Sequence, residues 1–201
     1  MLGGCQPADR AASSAAGPPA PPSPAVARAP AEPGAGRLDV TVKRVIDGDT
    51  VLVSGLPEGT ALVRLIGVNA PETGTGRTTR ECFGAEAARW LQGQAPRGSR
   101  LSLAFDAGAR DRFGRRLAYA YRPDGLFLNA ALVANGYATT MTIRPNVRHA
   151  AELQALERGA RSQHRGLWAV CPDAPPPAPL NPRHRRQRLG VGARMSSTSR
   201  S

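Results

Sequence analysis

Between residues 38 and 67 apolar and polar side chains alternate, and many of the apolar ones are β-branched. Asp39-Val40-Thr41-Val42-Lys43-Arg44-Val45 and Ala61-Leu62-Val63-Arg64-Leu65-Ile66 carry the pattern. A period of two sends successive side chains to opposite faces, so these runs predict strands with one face on a core. Gly48 breaks the first run between Asp47 and Asp49, while Gly55, Pro57 and Gly59 mark a hairpin turn. Helix formers fill 84 to 94, with Ala87, Trp90 and Leu91 on one face, and strand signals return at 99 to 106 and 115 to 121. Two more helices are expected over about 127 to 135 and 147 to 164, the latter from the spacing of Leu153, Leu156 and Ala160. Five strands, interrupted by one helix and trailed by two, predict a small closed β-barrel with about three α-helices packed outside it.

The two ends read differently. Residues 6 to 37 are nearly all Ala, Pro, Ser and Gly, a composition that buries too little apolar surface to order itself. Ahead of them, Met1-Leu2-Gly3-Gly4-Cys5 resembles the end of a bacterial lipoprotein signal, closing on a cysteine to be acylated. Segment 1 to 37 is therefore expected to be a lipobox remnant followed by a tether. Residues 172 to 201 turn Pro-rich, then Arg-rich, then Ser-rich, and are expected to be a disordered basic tail. That leaves 38 to 171 as one domain, of a size that folds alone. No run of about 20 apolar residues could span a bilayer.

With 27 Lys and Arg against 15 Asp and Glu, the chain carries +12, which favours a polyanionic partner. Residues 38 to 172 hold 18 basic and 12 acidic side chains, a balance of +6, and 173 to 201 add +5, so the charge is shared between domain and tail. Cys82 precedes the first expected helix and Cys171 follows the last. In an exported protein they are expected to pair, which would contribute roughly 4 kcal/mol on the entropic model; two unpaired thiols are the alternative. Neither a CxxC nor a histidine cluster points to zinc.

Three segments carry chemistry: Val45-Ile46-Asp47-Gly48-Asp49-Thr50, Arg64-Leu65-Ile66-Gly67-Val68-Asn69-Ala70-Pro71-Glu72 and Asp111-Arg112-Phe113-Gly114-Arg115. Phosphodiester cleavage needs a hard cation on the phosphate, a positioned water and positive charge where the phosphorus centre becomes more anionic. Asp, Glu and Arg can supply all three. In this order and spacing, with Leu117-Ala118-Tyr119 and the closing Gly166-Leu167-Trp168, the segments resemble the staphylococcal nuclease (thermonuclease) family over roughly residues 38 to 171.

The resemblance implies a five-stranded OB-fold barrel with three helices, and a metal-dependent endonuclease acting on DNA and RNA with little sequence preference. Water would attack phosphorus, the 5′-oxygen would leave, and 3′-phosphate ends would result. It makes Asp49 the first metal ligand, with Asp47 better suited to a turn hydrogen bond. The family's second metal carboxylate falls at Asn69, whose neutral amide implies weaker cation binding, and Ala70 would contribute its backbone carbonyl. Ca2+ is the expected ion, with Mg2+ or Mn2+ as alternatives. Glu72 takes the role of general base or water-positioner, worth about 10²- to 10⁴-fold. Arg64 and Arg115 become a pair of clamps on the scissile phosphate, whereas Arg116 reads as an ordinary surface arginine.

Departures from the family fall on the substrate side. Thr140-Met141-Thr142-Ile143 lacks the family's base-stacking tyrosines and Phe113 replaces another, leaving Tyr137 as the candidate stacking ring. Arg144-Pro145 stands where the family can hold a cis bond, and the sequence does not determine the isomer. The expected setting is extracellular or cell-envelope, lipid-anchored through Cys5, and the expected state monomeric. A second reading, motivated by Asn69, is a nucleic-acid-binding barrel with weakened catalysis. A structural surface module is the third and would show no affinity for nucleic acid at low salt.

Overall fold

The computed structural model describes residues 36–74 and 79–171. The expectations for Cys5, for the tether up to residue 35 and for the basic tail lie outside these residues. Strands β1 (Leu38–Val45), β2 (Thr50–Leu56) and β3 (Gly59–Leu65) form an antiparallel meander. The next strand, β4 (Gly67–Asn69), leaves the barrel and joins a separate two-stranded sheet. Helix α1 (Gly84–Gln94), strands β5 (Arg100–Ala104) and β6 (Arg116–Tyr121), helix α2 (Leu128–Ala134), strand β7 (Thr139–Met141), helix α3 (Ala150–Ser162) and the short α4 (Leu167–Val170) complete the order.

The barrel closes in the order β1-β2-β3-β6-β5. All its pairings are antiparallel except β3 with β6, where Val63, Arg64 and Leu65 face Arg116, Leu117 and Ala118. Closure removes every free edge, which a five-stranded sheet of this size would otherwise expose. The alternation expected for β1 is present: Val40, Val42 and Val45 are buried, while Lys43 and Arg44 are exposed. A bulge between Val42 and Arg44 resets the register so that both Val42 and Val45 reach the core.

Each expected helix is found. Ala87 and Leu91 of α1 are fully buried and Trp90 is half-buried against the core. In α3, Leu153 and Ala160 are buried as the spacing predicts, but Glu157 is buried too, beside a half-buried Leu156. Every residue of α2 is buried, so this helix runs through the core between barrel and α3. Its one polar residue, Asn129, accepts a hydrogen bond from the Ala120 N–H (3.0 Å) and donates to the Ile66 carbonyl (2.8 Å), tying β6 to the β3–β4 corner.

Two features lay beyond the sequence pattern, the β4–β7 pairing and the isomer of Arg144-Pro145. β4 and β7 pair as a separate two-stranded sheet, each only three residues long and too short to show a period. Cys82 and Cys171 are joined in a disulfide across 89 positions of chain, as expected, fastening the segment before α1 to the end of α4. Arg144-Pro145 is cis. Among the described residues no helix is long and apolar enough to cross a membrane.

Candidate active site at the barrel rim

The β1–β2 turn brings Asp49 to the barrel rim. The Asp49 N–H donates to Asp47 Oδ1 (2.9 Å), an Asx-type turn that gives Asp47 the local role expected of it. A Cβ on Gly48 would stand 2.5 Å from Ala70 Cβ and 2.8 Å from Ala87 Cβ, so only glycine lets this turn pack against the β4 exit and α1. Asp49 is buried, and its Oδ2 accepts from the Ala70 N–H at 2.8 Å while Oδ1 accepts from the Thr50 hydroxyl at 3.1 Å.

Arg64, opposite Thr50 in the β2–β3 register, turns into the same pocket. Its Nη2 pairs with Asp49 Oδ2 at 2.9 Å and reaches Asn69 Oδ1 at 3.3 Å, and its Nη1 donates to the carbonyls of Leu65 (3.0 Å) and Val68 (2.8 Å). The side chain thus lies in a polar site although the strand around it is otherwise apolar. Burying an ion pair is costly unless its remaining hydrogen-bonding capacity is filled, and here backbone carbonyls fill it. Burial pushes the Asp49 carboxyl up to about 7; Arg64 opposes that rise and Asp47 adds to it.

Asn69 is held from behind: its carbonyl accepts from the Thr139 hydroxyl at 3.1 Å across the β4–β7 pair. Behind that pair, Glu157 of α3 accepts from the Thr140 hydroxyl (2.7 Å) and N–H (3.2 Å). Neither Glu157, Asn129 nor Thr139 was singled out in the sequence. The available signal was a charged or amide residue standing on an otherwise buried helical face.

Glu72 sits on the exposed turn beyond Pro71. Partial burial, Asp47 and Glu81 raise its carboxyl above the ordinary value, while Arg64 and Arg115 pull it down. The Glu72 carboxyl is thus within electrostatic reach of both arginines and of Asp47 in the β1–β2 turn. Its backbone is clamped: the Glu72 N–H donates to Glu81 Oε2 (3.0 Å), and the Glu72 carbonyl accepts from the Glu81 N–H (2.9 Å). A Cβ on Gly84 would come within 2.2 Å of that same carbonyl, so α1 starts against the Glu72 backbone.

Arg115 is placed by Asp111, whose carboxylate accepts from the Arg115 N–H (3.0 Å), the Phe113 N–H (2.9 Å) and Arg115 Nε (2.7 Å). Partial burial opposes ionisation of Asp111, but these bonds prevail and hold its carboxyl below the usual range. With Nε engaged, the two terminal nitrogens of Arg115 have no hydrogen-bond or ion-pair partner among the described residues. Phe113 is exposed beside it, under the Arg112 and Arg115 guanidiniums. Tyr137, the stacking candidate, is half-buried and stacks instead on Phe83 and Trp90, with centroids 5.6 and 5.1 Å away. Arg116, read from sequence as an ordinary surface residue, is bound through two nitrogens to Glu58.

The oxygens near Asp49 suit a hard cation: a buried carboxylate destabilised by its surroundings, with the neutral Asn69 amide oxygen on the same Arg64 guanidinium. Among the described residues no group of three or more His, Cys, Asp or Glu side chains converges, so such an ion would rest on one carboxylate, neutral oxygens and water.

A closed five-stranded barrel, helices on its outside and the buried Asp49–Arg64 ion pair beside the β1–β2 turn define an OB-type barrel with a charged edge. The family model described as staphylococcal nuclease homologue matches residues 62–170, more than half of the chain, and the chain belongs to that family. It is 33% identical over 129 residues to the thermonuclease of Staphylococcus intermedius, covering 63% of this chain and 74% of that one. Endonuclease YhcR of Bacillus subtilis (strain 168) is 32% identical over 147 residues, 69% of this chain but 12% of the relative. For endonuclease YncB of the same organism the figures are 31% over 136 residues, 66% and 62%. The match thus spans only a small part of YhcR and less than two thirds of YncB.

Proposed function

We propose that the protein is a divalent-cation-dependent endonuclease that hydrolyses DNA and RNA with little sequence preference and leaves 3′-phosphate ends. The observation that supports this best is the buried Asp49–Arg64 pair at the β1–β2 turn, with Glu72 in electrostatic reach of Arg64 and Arg115, in a member of a nuclease family. Asp49, with Asn69 and the Ala70 carbonyl, would hold the cation. When bound, that ion supplies charge neutralisation on a non-bridging phosphate oxygen.

The remaining chemistry falls to side chains. Glu72, its proton affinity raised by partial burial and neighbouring carboxylates, orients a water and takes its proton as the oxygen–phosphorus bond forms. The bond from phosphorus to the 5′-oxygen breaks and the departing 5′-oxygen takes a proton from solvent, giving a 5′-hydroxyl and a 3′-phosphate. Arg64 is preorganised by three oxygen acceptors besides Asp49, and the terminal nitrogens of Arg115 remain for the phosphate. The positive charge of Arg64, whose terminal nitrogens are taken up by Asp49, Asn69 and two backbone carbonyls, and the remaining donors of Arg115 would stabilise the transition state, where negative charge grows, more than the substrate. Excess basic charge supplies affinity through phosphates, without reading bases. The Cys82–Cys171 bond supports an oxidising, exported setting.

Asn69 favours one other reading, a barrel that binds nucleic acid with little catalysis. The full chain incubated with denatured DNA and with RNA, under EDTA, Ca2+, Mg2+ or Mn2+, separates the two. Cleavage that EDTA abolishes and Glu72→Gln lowers by about 10²-fold or more supports the nuclease. Retention of both polymers without cleavage under every cation refutes it in favour of the binding barrel.

A further inference from the structure

Arg115 sits in a turn between Arg110 and Arg116, and that turn is gripped from outside by one carboxylate of another hairpin. Glu58, on the β2–β3 turn, accepts from Arg116 Nε and Nη2, the latter at 2.8 Å, and from Arg110 Nη2 at 2.7 Å. Arg110 and Arg116 face each other as a backbone bridge at the base of the turn, so Glu58 binds both of its stems. The grip is passed inward: Arg110 Nη1 donates to the carbonyl of Gly114, the residue before Arg115, at 2.8 Å. Asp111 then fixes the Arg115 side chain from within the turn.

We propose that Glu58 is a positioning residue for Arg115, acting through Arg110 and Arg116 to hold the turn that presents its guanidinium to the phosphate. The assignment rests on the proposed role of Arg115. Isolated surface ion pairs contribute little, but this one is a bidentate, three-centre network joining segments 52 positions apart. Its removal leaves Arg110, Arg112, Arg115 and Arg116 within seven residues, with Asp111 as the only carboxylate of the turn. Like charges across the bridge then push the stems apart, and the rigidity that keeps Arg115 preorganised is lost. The Glu58 carboxyl is held down at about 2, chiefly by its bond from Arg116, so the network is intact at any ordinary assay pH.

The test uses Glu58→Ala and Glu58→Asp in the full chain, each also in an Arg115→Ala background. On denatured DNA, Glu58→Ala is expected to lower kcat by about 10-fold or more with KM within about twofold, because a small misplacement of a positioned group costs that much. Glu58→Asp recovers part of the loss. In the Arg115→Ala background the same substitution changes nothing further. An equal proportional loss with and without Arg115, or no loss at all, overturns the proposal. Amide exchange without substrate provides the arm that stands apart from activity: Glu58→Ala should speed exchange at Gly114 and Arg115 while β1 and β5 keep their protection. Unchanged exchange in the turn overturns the positioning role even if wild type cleaves; faster exchange in a chain that does not cleave leaves the grip in place and sinks the nuclease reading instead.

Discussion

Asp49 pairs with Arg64 at 2.9 Å, yet its carboxyl is raised to about 7 because burial outweighs that pairing. A folded-state value above the unfolded one means that ionisation costs stability. The contribution of Asp49 is fully present below about pH 4 and is lost as pH rises through 7. A cation bound to the carboxylate reverses the loss, so Ca2+ should raise the melting temperature more at pH 8 than at pH 5. Asp49→Asn should abolish that difference in thermal melts with and without Ca2+. Replacing Arg64 by Ala removes a preorganised donor and is expected to lower kcat by 10²- to 10³-fold, read on denatured DNA at saturating substrate. Both residues, with Glu72 and Arg115, were legible in the sequence because chemistry-bearing types stood at recognisable spacing. Glu157, Asn129 and Glu58 were not, since each matters through one partner distant in the chain, and a linear pattern cannot name that partner.

Among the elements, the β4–β7 pair ties Asn69 to the helical side of the molecule, and Glu157 of α3 supports it through Thr140. Glu157→Ala leaves a buried N–H and hydroxyl without their acceptor, which should destabilise the fold by about 1–3 kcal/mol in urea unfolding. The segment from Glu81 to Gly84 does for Glu72 what β7 does for Asn69, and the disulfide at Cys82 anchors it to α4. A Cys82→Ser, Cys171→Ser double variant is expected to lose about 2–5 kcal/mol of stability. At a temperature where it remains folded, its kcat should fall further than its substrate affinity, because Glu72 loses its backbone clamp. Helices and long strands were legible from their periods, down to the bounds of α1. β4 and β7 were not, because three residues cannot display a period and only their pairing makes them strands.

For the molecule as a whole, a basic surface makes affinity dependent on salt rather than on sequence. Raising NaCl from about 50 to 200 mM should weaken binding to single-stranded DNA at least tenfold, and by the same factor for unrelated sequences in a fluorescence titration. The barrel itself followed from strand count and turn positions, whereas its closure through a parallel β3–β6 contact followed from nothing local. That contact has a bearing on how such a chain is made. Synthesis proceeds from the N-terminus, so Asp49, Arg64 and Glu72 exist long before β6 and its neighbour Arg115. A product that stops short of Tyr121 has no closed barrel, and one that stops short of Met141 has no partner strand behind Asn69. Under the proposed activity, a chain still short of β6 and β7 therefore lacks a complete site, and the last strands to be made are the ones that finish it.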